Sequence, residues 1–167
     1  LQESLNWTTK ASSGTLVVVG VIAIIVQGGL IGPLVKQLGE MRLTLIGSGF
    51  ILLACSLLIT APKENATVNI YTAVSFLAVG AGLITPTLRA LISKKLDVDK
   101  QGSILSNLQG LQSLGGVLGI AMAGRVYDSF GPKSPFIAGS IILIFMIYLI
   151  AEGKNNNSFN DQKSKVL

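Results

Sequence analysis

Five long apolar runs, separated by polar segments of only 6 to 12 residues, make up most of the chain. A helix that crosses the hydrocarbon core of a bilayer needs about 20 mostly apolar residues. The runs have that length, whereas the strands of a membrane barrel are shorter and alternate apolar with polar positions. The pattern therefore predicts five transmembrane helices, at residues 14–35, 43–61, 68–91, 104–126 and 135–151.

The residues outside these runs are too few to form a soluble domain, because the runs take up 105 of the 167 residues. The sequence thus predicts an all-α membrane protein with three regions. Residues 1–13 are expected to form an outer loop that follows a missing helix, and residues 14–151 to form the transmembrane bundle. Residues 152–167 are polar and are expected to form a disordered cytoplasmic tail, because they offer no apolar face to bury.

Composition narrows the possible functions. Half of the residues are hydrophobic and 13% are charged, against about 25% charged in a typical soluble domain. The chain has no histidine and a single cysteine, Cys55, which excludes histidine-dependent nucleophilic sites, histidine metal sites and an internal disulfide. We therefore expect no enzymatic activity, no metal site and no cofactor.

The net charge of +5 follows the expected membrane topology. Nine of the 13 basic residues lie on one side of the five predicted spans or next to it, and basic residues accumulate in cytoplasmic loops. This distribution places the first residue outside and the tail in the cytoplasm, in a plasma or bacterial inner membrane. It explains the charge without a nucleic-acid partner. The nine residues are Lys36, Arg42, Arg89, Lys94, Lys95, Lys100, Lys154, Lys163 and Lys165.

Polar side chains within the spans are candidates for contact with a solute, since polar groups in hydrocarbon are costly unless they face a partner or water. Gln109, Gln112 and Ser113 are spaced to share one face of the fourth span. Gln27 in the first span and Thr85 in the third complete the candidate cavity. The same amides could instead hydrogen-bond neighbouring helices. The second and fifth spans carry only small hydroxyls, so we expect them to face lipid.

Three other features of the spans can be interpreted from the sequence. The glycine pairs and Pro86 each allow two interpretations, and Arg89 allows a structural one. Gly28 with Gly32, and Gly115 with Gly119, are spaced four residues apart, which suits close helix packing or a dimer face. Pro86 could act as a hinge or as a static kink. Arg89, near the inner end of the third span, is expected to extend to the membrane surface.

Two loops repeat one pattern of glycines and charges. The first contains Gly32, Leu34, Lys36, Gly39 and Arg42. Gly124, Asp128, Gly131 and Lys133 form the second, 92 residues later. Three predicted crossings separate the loops, so they lie on opposite sides of the membrane, as in transporters with inverted repeats.

At these loops the sequence resembles the major facilitator superfamily, whose repeats carry a Gly-x-Leu-x-Asp-Arg-x-Gly-Arg-Lys type of motif. Gly32, Leu34 and Gly39 match this motif, whereas Lys36 and Gln37 replace its acidic and basic residues. The stretch Gly115–Gly124 is similar to a glycine-rich motif of drug antiporters, with Ile120 in place of its proline. Drug and tetracycline-type efflux carriers are therefore the nearest resemblance.

The resemblance implies that the spans are helices 8 to 12 of a twelve-helix carrier, most of one six-helix half. The function expected from it is that of a C-terminal fragment of a secondary active transporter, which exports a small drug-like solute by alternating access. Its partners would be the lipid bilayer, the N-terminal half and the solute. All eight acidic residues lie outside the spans, so a proton-coupled mechanism would need its titrating group in the N-terminal half. The alternative is a five-span membrane subunit that does not transport.

Overall fold

The computed structural model describes residues 9–60, 66–94 and 98–166, nearly all of them helical. We number the α-helices α1 to α6 along the chain. A π-helical turn, Val26–Leu30, joins α1 to α2 without a break. The described residues include no strand, and the predicted all-α membrane class is confirmed. The helices are α1 (Thr9–Ile25), α2 (Ile31–Leu38), α3 (Glu40–Thr60), α4 (Ala66–Lys94), α5 (Val98–Phe130) and α6 (Ser134–Val166).

Four helical stretches among the described residues are long and apolar enough to cross a membrane: Ser13–Leu38, Glu40–Thr60, Thr67–Lys94 and Ser134–Glu152. Each contains most of one predicted span. The remaining predicted span, residues 104–126, lies within the 33-residue helix α5. The amides and hydroxyls of α5 make it less apolar than the other four, so its crossing of the membrane stays a prediction.

The helices extend beyond the predicted boundaries at both ends of the chain. Residues 9–13, predicted as part of an outer loop, already belong to α1, and residues 1–8 lie outside the described part. Residues 152–166, predicted as a disordered tail, continue α6 as helix to Val166. The physical reason is that extending an existing helix adds one hydrogen bond per residue without the cost of a new nucleus. The amino-acid composition of a segment does not show whether it continues a neighbouring helix.

Helices α3 and α4 form the most extensive interface and meet at two glycines. A Cβ atom built on Gly80 would lie 2.6 Å from the carbonyl oxygen of Gly47 and 2.6 Å from Cγ1 of Ile51. A Cβ atom on Gly47 would lie 2.8 Å from Cγ1 of Ile84. The two backbones therefore touch, as small residues allow in membrane helices.

A pair of buried hydroxyls lies at the same interface. The Oγ1 atoms of Thr44 and Thr87 are 3.2 Å apart, and both side chains are at most 1% exposed. Each hydroxyl also lies within hydrogen-bond distance of a carbonyl in its own helix: Thr44 to Glu40 at 2.9 Å and Thr87 to Leu83 at 2.6 Å. These bonds let small hydroxyls be buried without a cavity or a water partner.

The expectation that the second span faces lipid is therefore wrong for the N-terminal half of α3. Thr44 and Ser48 are completely buried, and the Ser48 hydroxyl donates to the Thr44 carbonyl at 2.9 Å. The sequence prediction treated a lack of amides as a sign of lipid exposure. Small hydroxyls that satisfy themselves on their own backbone are equally suited to a close helix interface.

Helices α1 and α2 form one continuous helical segment, which packs against α3 and α4 at the π-helical turn. Val26 in that turn, Leu43 and Leu83 form the buried core cluster. A Cβ atom on Gly82 would lie 3.1 Å from Cγ1 of Val26. A larger residue at position 82 would therefore displace the π-helical turn. In α6, by contrast, no residue of the span Ser134–Glu152 is buried. That the fifth span faces lipid stays a prediction.

Candidate functional site

A polar cluster joins α4 to α5 through the side chain of Arg89. Its Nη2 atom donates a hydrogen bond to Oε1 of Gln109 and lies 3.5 Å from Oε1 of Gln112. Both amides were predicted from the sequence as cavity candidates, and the structure brings them together on one cation. All three side chains are exposed on the surface of this chain.

Helix geometry explains how one arginine reaches both glutamines. Residues 109 and 112 are three positions apart, so their side chains lie next to each other on α5. In α4 the Cα–Cβ bonds tilt toward the helix N-terminus, which directs Arg89 away from the end of the helix at Lys94. Its guanidinium thereby meets Gln112, which lies about 21 Å from the start of α5 at about 1.5 Å per residue.

The structure thus gives Arg89 two hydrogen-bond partners on α5, and its extension to the membrane surface stays a prediction. Two neutral acceptors with lone pairs directed at the guanidinium compensate for part of its lost hydration. The sequence signal was present, because an ionisable residue within a span is usually functional.

The other predicted cavity residues are not part of this cluster. Ser113 donates its hydroxyl to the carbonyl of Gln109 at 3.0 Å, within its own helix. Gln27 lies in the π-helical turn, and its Cγ would be 3.9 Å from a Cβ atom on Gly82. Thr85 is exposed on α4. Each of these side chains is exposed, so none is enclosed by the part of the chain that the structure describes.

A separate ion pair, which sequence reasoning missed, joins α3 and α4 where α4 ends and α3 begins. Lys94, the last residue of α4, pairs through Nζ with Oε1 of Glu40, the first residue of α3. The carboxylate also lies at a helix N-terminus, where negative charge is favoured. Among the side chains that the structure describes, this is the one ion pair recorded, so Arg89 has no carboxylate partner there.

The two repeated loops share one backbone geometry. Gly39 has φ +76° and Gly131 has φ +89°. The amide of Gly39 donates to the carbonyl of Val35, and that of Gly131 to the carbonyl of Tyr127, each at 2.9 Å. Both glycines thus terminate a helix in the same way, at positions that are equivalent in the sequence repeat.

The remaining motif residues occupy helices on either side of these glycines. Gly32, Leu34 and Lys36 are in α2, and Arg42 is in the first turn of α3. Gly124 and Asp128 are in α5, and Lys133 precedes α6. Ser134 stabilises the second loop through its hydroxyl, which lies 2.6 Å from the carbonyl oxygen of Gly131 and 2.8 Å from that of Val126.

Replacing Gly39 by alanine should destabilise the protein by about 1–3 kcal/mol, because its φ of +76° and ψ of 158° belong to a region that is essentially restricted to glycine. The matched control is Gly20→Ala, which lies in α1 with open space around its Cβ position. That change should stabilise the helix by up to about 1 kcal/mol. Thermal unfolding in detergent measures both effects, and an unchanged midpoint for Gly39→Ala would contradict the loop geometry.

The glycines predicted to pack helices have no close neighbour among the residues that the structure describes. Cβ atoms built on Gly28, Gly32, Gly115 and Gly119 would meet nothing within 4 Å. Within the described residues, close packing instead involves Gly47, Gly80 and Gly82. Sequence spacing alone does not distinguish the glycines at a helix interface from those in open space. Two small residues four positions apart share one helix face, but the spacing does not indicate whether another helix packs against that face.

Comparisons with known proteins agree with this helical architecture. The chain is 30% identical over 157 residues to the class G tetracycline resistance protein of Vibrio anguillarum, which covers 89% of this chain and 38% of that protein. It is 25% identical over 126 residues to the class C protein of Escherichia coli, covering 75% and 31%. The human Hippocampus abundant transcript 1 protein is 23% identical over 130 residues, covering 78% and 26%.

The chain thus spans about a third of the length of the curated relatives it matches. No solved structure matches it at a significant level. The sequence profile of the Major Facilitator Superfamily matches residues 1–120, which is well over half of the chain. On this match, and in agreement with the helical fold and the repeated glycine loops, the chain belongs to the major facilitator superfamily.

Proposed function

We propose that this chain is the C-terminal part of a secondary active transporter that exports a small drug-like solute by alternating access. Family membership points to a transporter rather than an enzyme. Three of the similar proteins are tetracycline resistance proteins, which supports export of a drug-like compound. The proposed partners are the lipid bilayer, an N-terminal half of the same carrier and the solute.

The cluster of Arg89, Gln109 and Gln112 carries this proposal. The guanidinium of Arg89 on α4 meets two exposed amides on α5, a helix whose other exposed residues include Leu111, Leu114 and Val117. Polar groups on such a surface are costly in lipid unless they face a water-filled path or another part of the protein. A solute path between two halves of a carrier would supply that environment.

The open glycine positions on α5 support the same assignment. Gly115 and Gly119 have free space at their Cβ positions, and they lie within two turns of Gln112 on the same helix. A surface of small residues beside a polar cluster lets another helix approach closely. We propose that the N-terminal half of the carrier packs here, next to the solute path.

The experiment is an export assay in cells that express the full-length protein. Cells are loaded with tetracycline, fluorescein or rhodamine 6G, which are drug-sized compounds of different charge. We expect export of at least one compound to be faster than in cells with an empty vector. Export of none of them, with the protein present in the membrane, would favour a subunit that does not transport.

The proposed orientation makes a second prediction. A reporter enzyme fused after Ala61 should be extracytoplasmic and one fused after Lys95 cytoplasmic, because nine of the 13 basic residues adjoin the side that includes Lys95. Paired reporters that are active only on one side of the membrane measure this directly. The reverse result at both sites would overturn the orientation.

A further inference from the structure

We infer that Arg89, Gln109 and Gln112 form a binding site for an anionic group of the transported solute, such as a carboxylate or an enolate. This inference rests on the proposed function, because it names the chemistry that the proposed solute path recognises. It assigns Arg89 a direct role in binding, which neither family membership nor the repeated loops supply.

The charge balance of the cluster is the first argument. Arg89 is permanently charged, and its two partners in the structure are neutral amides. Glu40, the acid of the ion pair described above, is bound to Lys94. Among the side chains that the structure describes, the guanidinium therefore keeps an uncompensated positive charge. A membrane-embedded cation of this kind is stabilised when an anion binds to it.

The second argument comes from the hydrogen-bonding groups that remain unused. Arginine has no acceptor, so both glutamines must direct their oxygens at Nη2, as observed. Their NH2 groups are then directed elsewhere and have no recorded partner among the described residues. The guanidinium likewise makes its two recorded bonds through Nη2 alone, which leaves Nε and Nη1 as donors. The unused groups of the cluster are thus all donors, which suits an acceptor that carries negative charge.

Geometry provides the third argument. Both planar forks of a guanidinium include Nη2, which the two amides already occupy, so Nε and Nη1 remain as separate donors that can each bond an anionic oxygen. The bonds to Gln109 and Gln112 hold Arg89 against α5 and fix the directions of Nε and Nη1 before the solute arrives. Such preorganisation lowers the entropy cost of binding. The site is also exposed on the face of α5 where we place the solute path.

Binding of matched dyes to the purified full-length protein in neutral detergent tests this inference. Fluorescein is an anion with a carboxylate, and rhodamine 6G is a cation on the same xanthene skeleton. Fluorescence anisotropy, corrected for binding to empty micelles, gives the Kd of each dye. The variants are Arg89→Gln, which removes the charge, and Arg89→Lys, which keeps the charge but replaces the planar guanidinium with an ammonium group. The control is Arg125→Gln, which replaces an exposed arginine near the C-terminal end of α5.

We expect Arg89→Gln to raise the Kd of fluorescein about tenfold or more, and Arg89→Lys to raise it less. Arg125→Gln should change neither dye, and rhodamine 6G binding should not be weakened by either Arg89 variant. If the wild-type protein does not bind fluorescein, or if Arg89→Gln changes its Kd by less than twofold, the inference is overturned. Equal weakening of both dyes would also overturn it, because it would indicate a structural role.

Competition with the wild-type protein decides the matter even if an Arg89 variant does not fold. Benzoate should displace fluorescein, whereas benzylamine, of similar size and opposite charge, should not; equal displacement by both would contradict an anion site. The result is also separable from the proposed function. Fluorescein binding without export of any compound would keep the site and remove the transport function, whereas export without fluorescein binding would do the reverse.

Discussion

Alanine at position 80 is expected to lower the free energy of unfolding by about 1–3 kcal/mol, the usual cost of forcing an extra carbon into a close-packed interior. Its Cβ atom would lie 2.6 Å from the backbone oxygen of Gly47 and 2.6 Å from Cγ1 of Ile51. A side-chain atom can move aside, but a backbone oxygen within a helix moves only if the helix does. Helices α3 and α4 would therefore have to separate along their main interface.

The control for this variant is Gly49→Ala, which lies on α3 two residues from Gly47 and meets nothing within 4 Å. It should leave stability unchanged or raise it slightly, because alanine has the higher helix propensity. Thermal unfolding of the purified protein in detergent compares the two variants. Equal midpoints for Gly80→Ala and Gly49→Ala would show that α3 and α4 are not in backbone contact.

Leucine at position 112 is expected to lower transport per folded molecule about tenfold while leaving folding nearly intact. Leucine is favourable in a membrane-spanning helix, and the interhelical hydrogen bond it removes contributes only about 0.6–2 kcal/mol to stability. Arg89 would lose one of its two acceptors, so the orientation of its guanidinium would be less fixed. The measurement is the initial rate of export divided by the amount of folded protein in the membrane.

Ser140→Leu on α6 is the matched control, because the Ser140 hydroxyl bonds to its own helix at the Phe136 carbonyl, 2.8 Å away. It should affect neither export nor stability. If Gln112 only holds helices together, Gln112→Leu would lower the thermal midpoint and reduce export in proportion to folded protein. Unchanged export per folded molecule would remove Gln112 from the solute path.

The sequence predicts the helices of this fold well because membrane helices must be long and apolar. Four predicted spans coincide with apolar helices in the structure. The repeated loops were also predictable, since glycine is the residue that tolerates the positive φ found at Gly39 and Gly131. Local chemistry determines both features, so no knowledge of the neighbouring helices is needed to find them.

Which helices meet could not be predicted, because contact depends on the rotation of each helix about its axis. Gly80 and Gly115 look alike in the sequence, yet one touches a backbone and the other faces open space. Thr44 likewise resembles Thr60, but only Thr44 is buried against a second helix. The hydrogen-bond partner of Arg89 was unpredictable for the same reason, since finding it requires knowing which face of α5 lies beside α4.

Counterflow in proteoliposomes that contain the full-length protein tests the transporter assignment most directly. Vesicles are loaded with an excess of an unlabelled compound that the export assay identifies, and then receive a trace of the same compound in labelled form. A carrier with alternating access should accumulate the label transiently above its external concentration, because the binding site returns loaded from either side. Label that only equilibrates, at the rate of protein-free vesicles, would contradict the account.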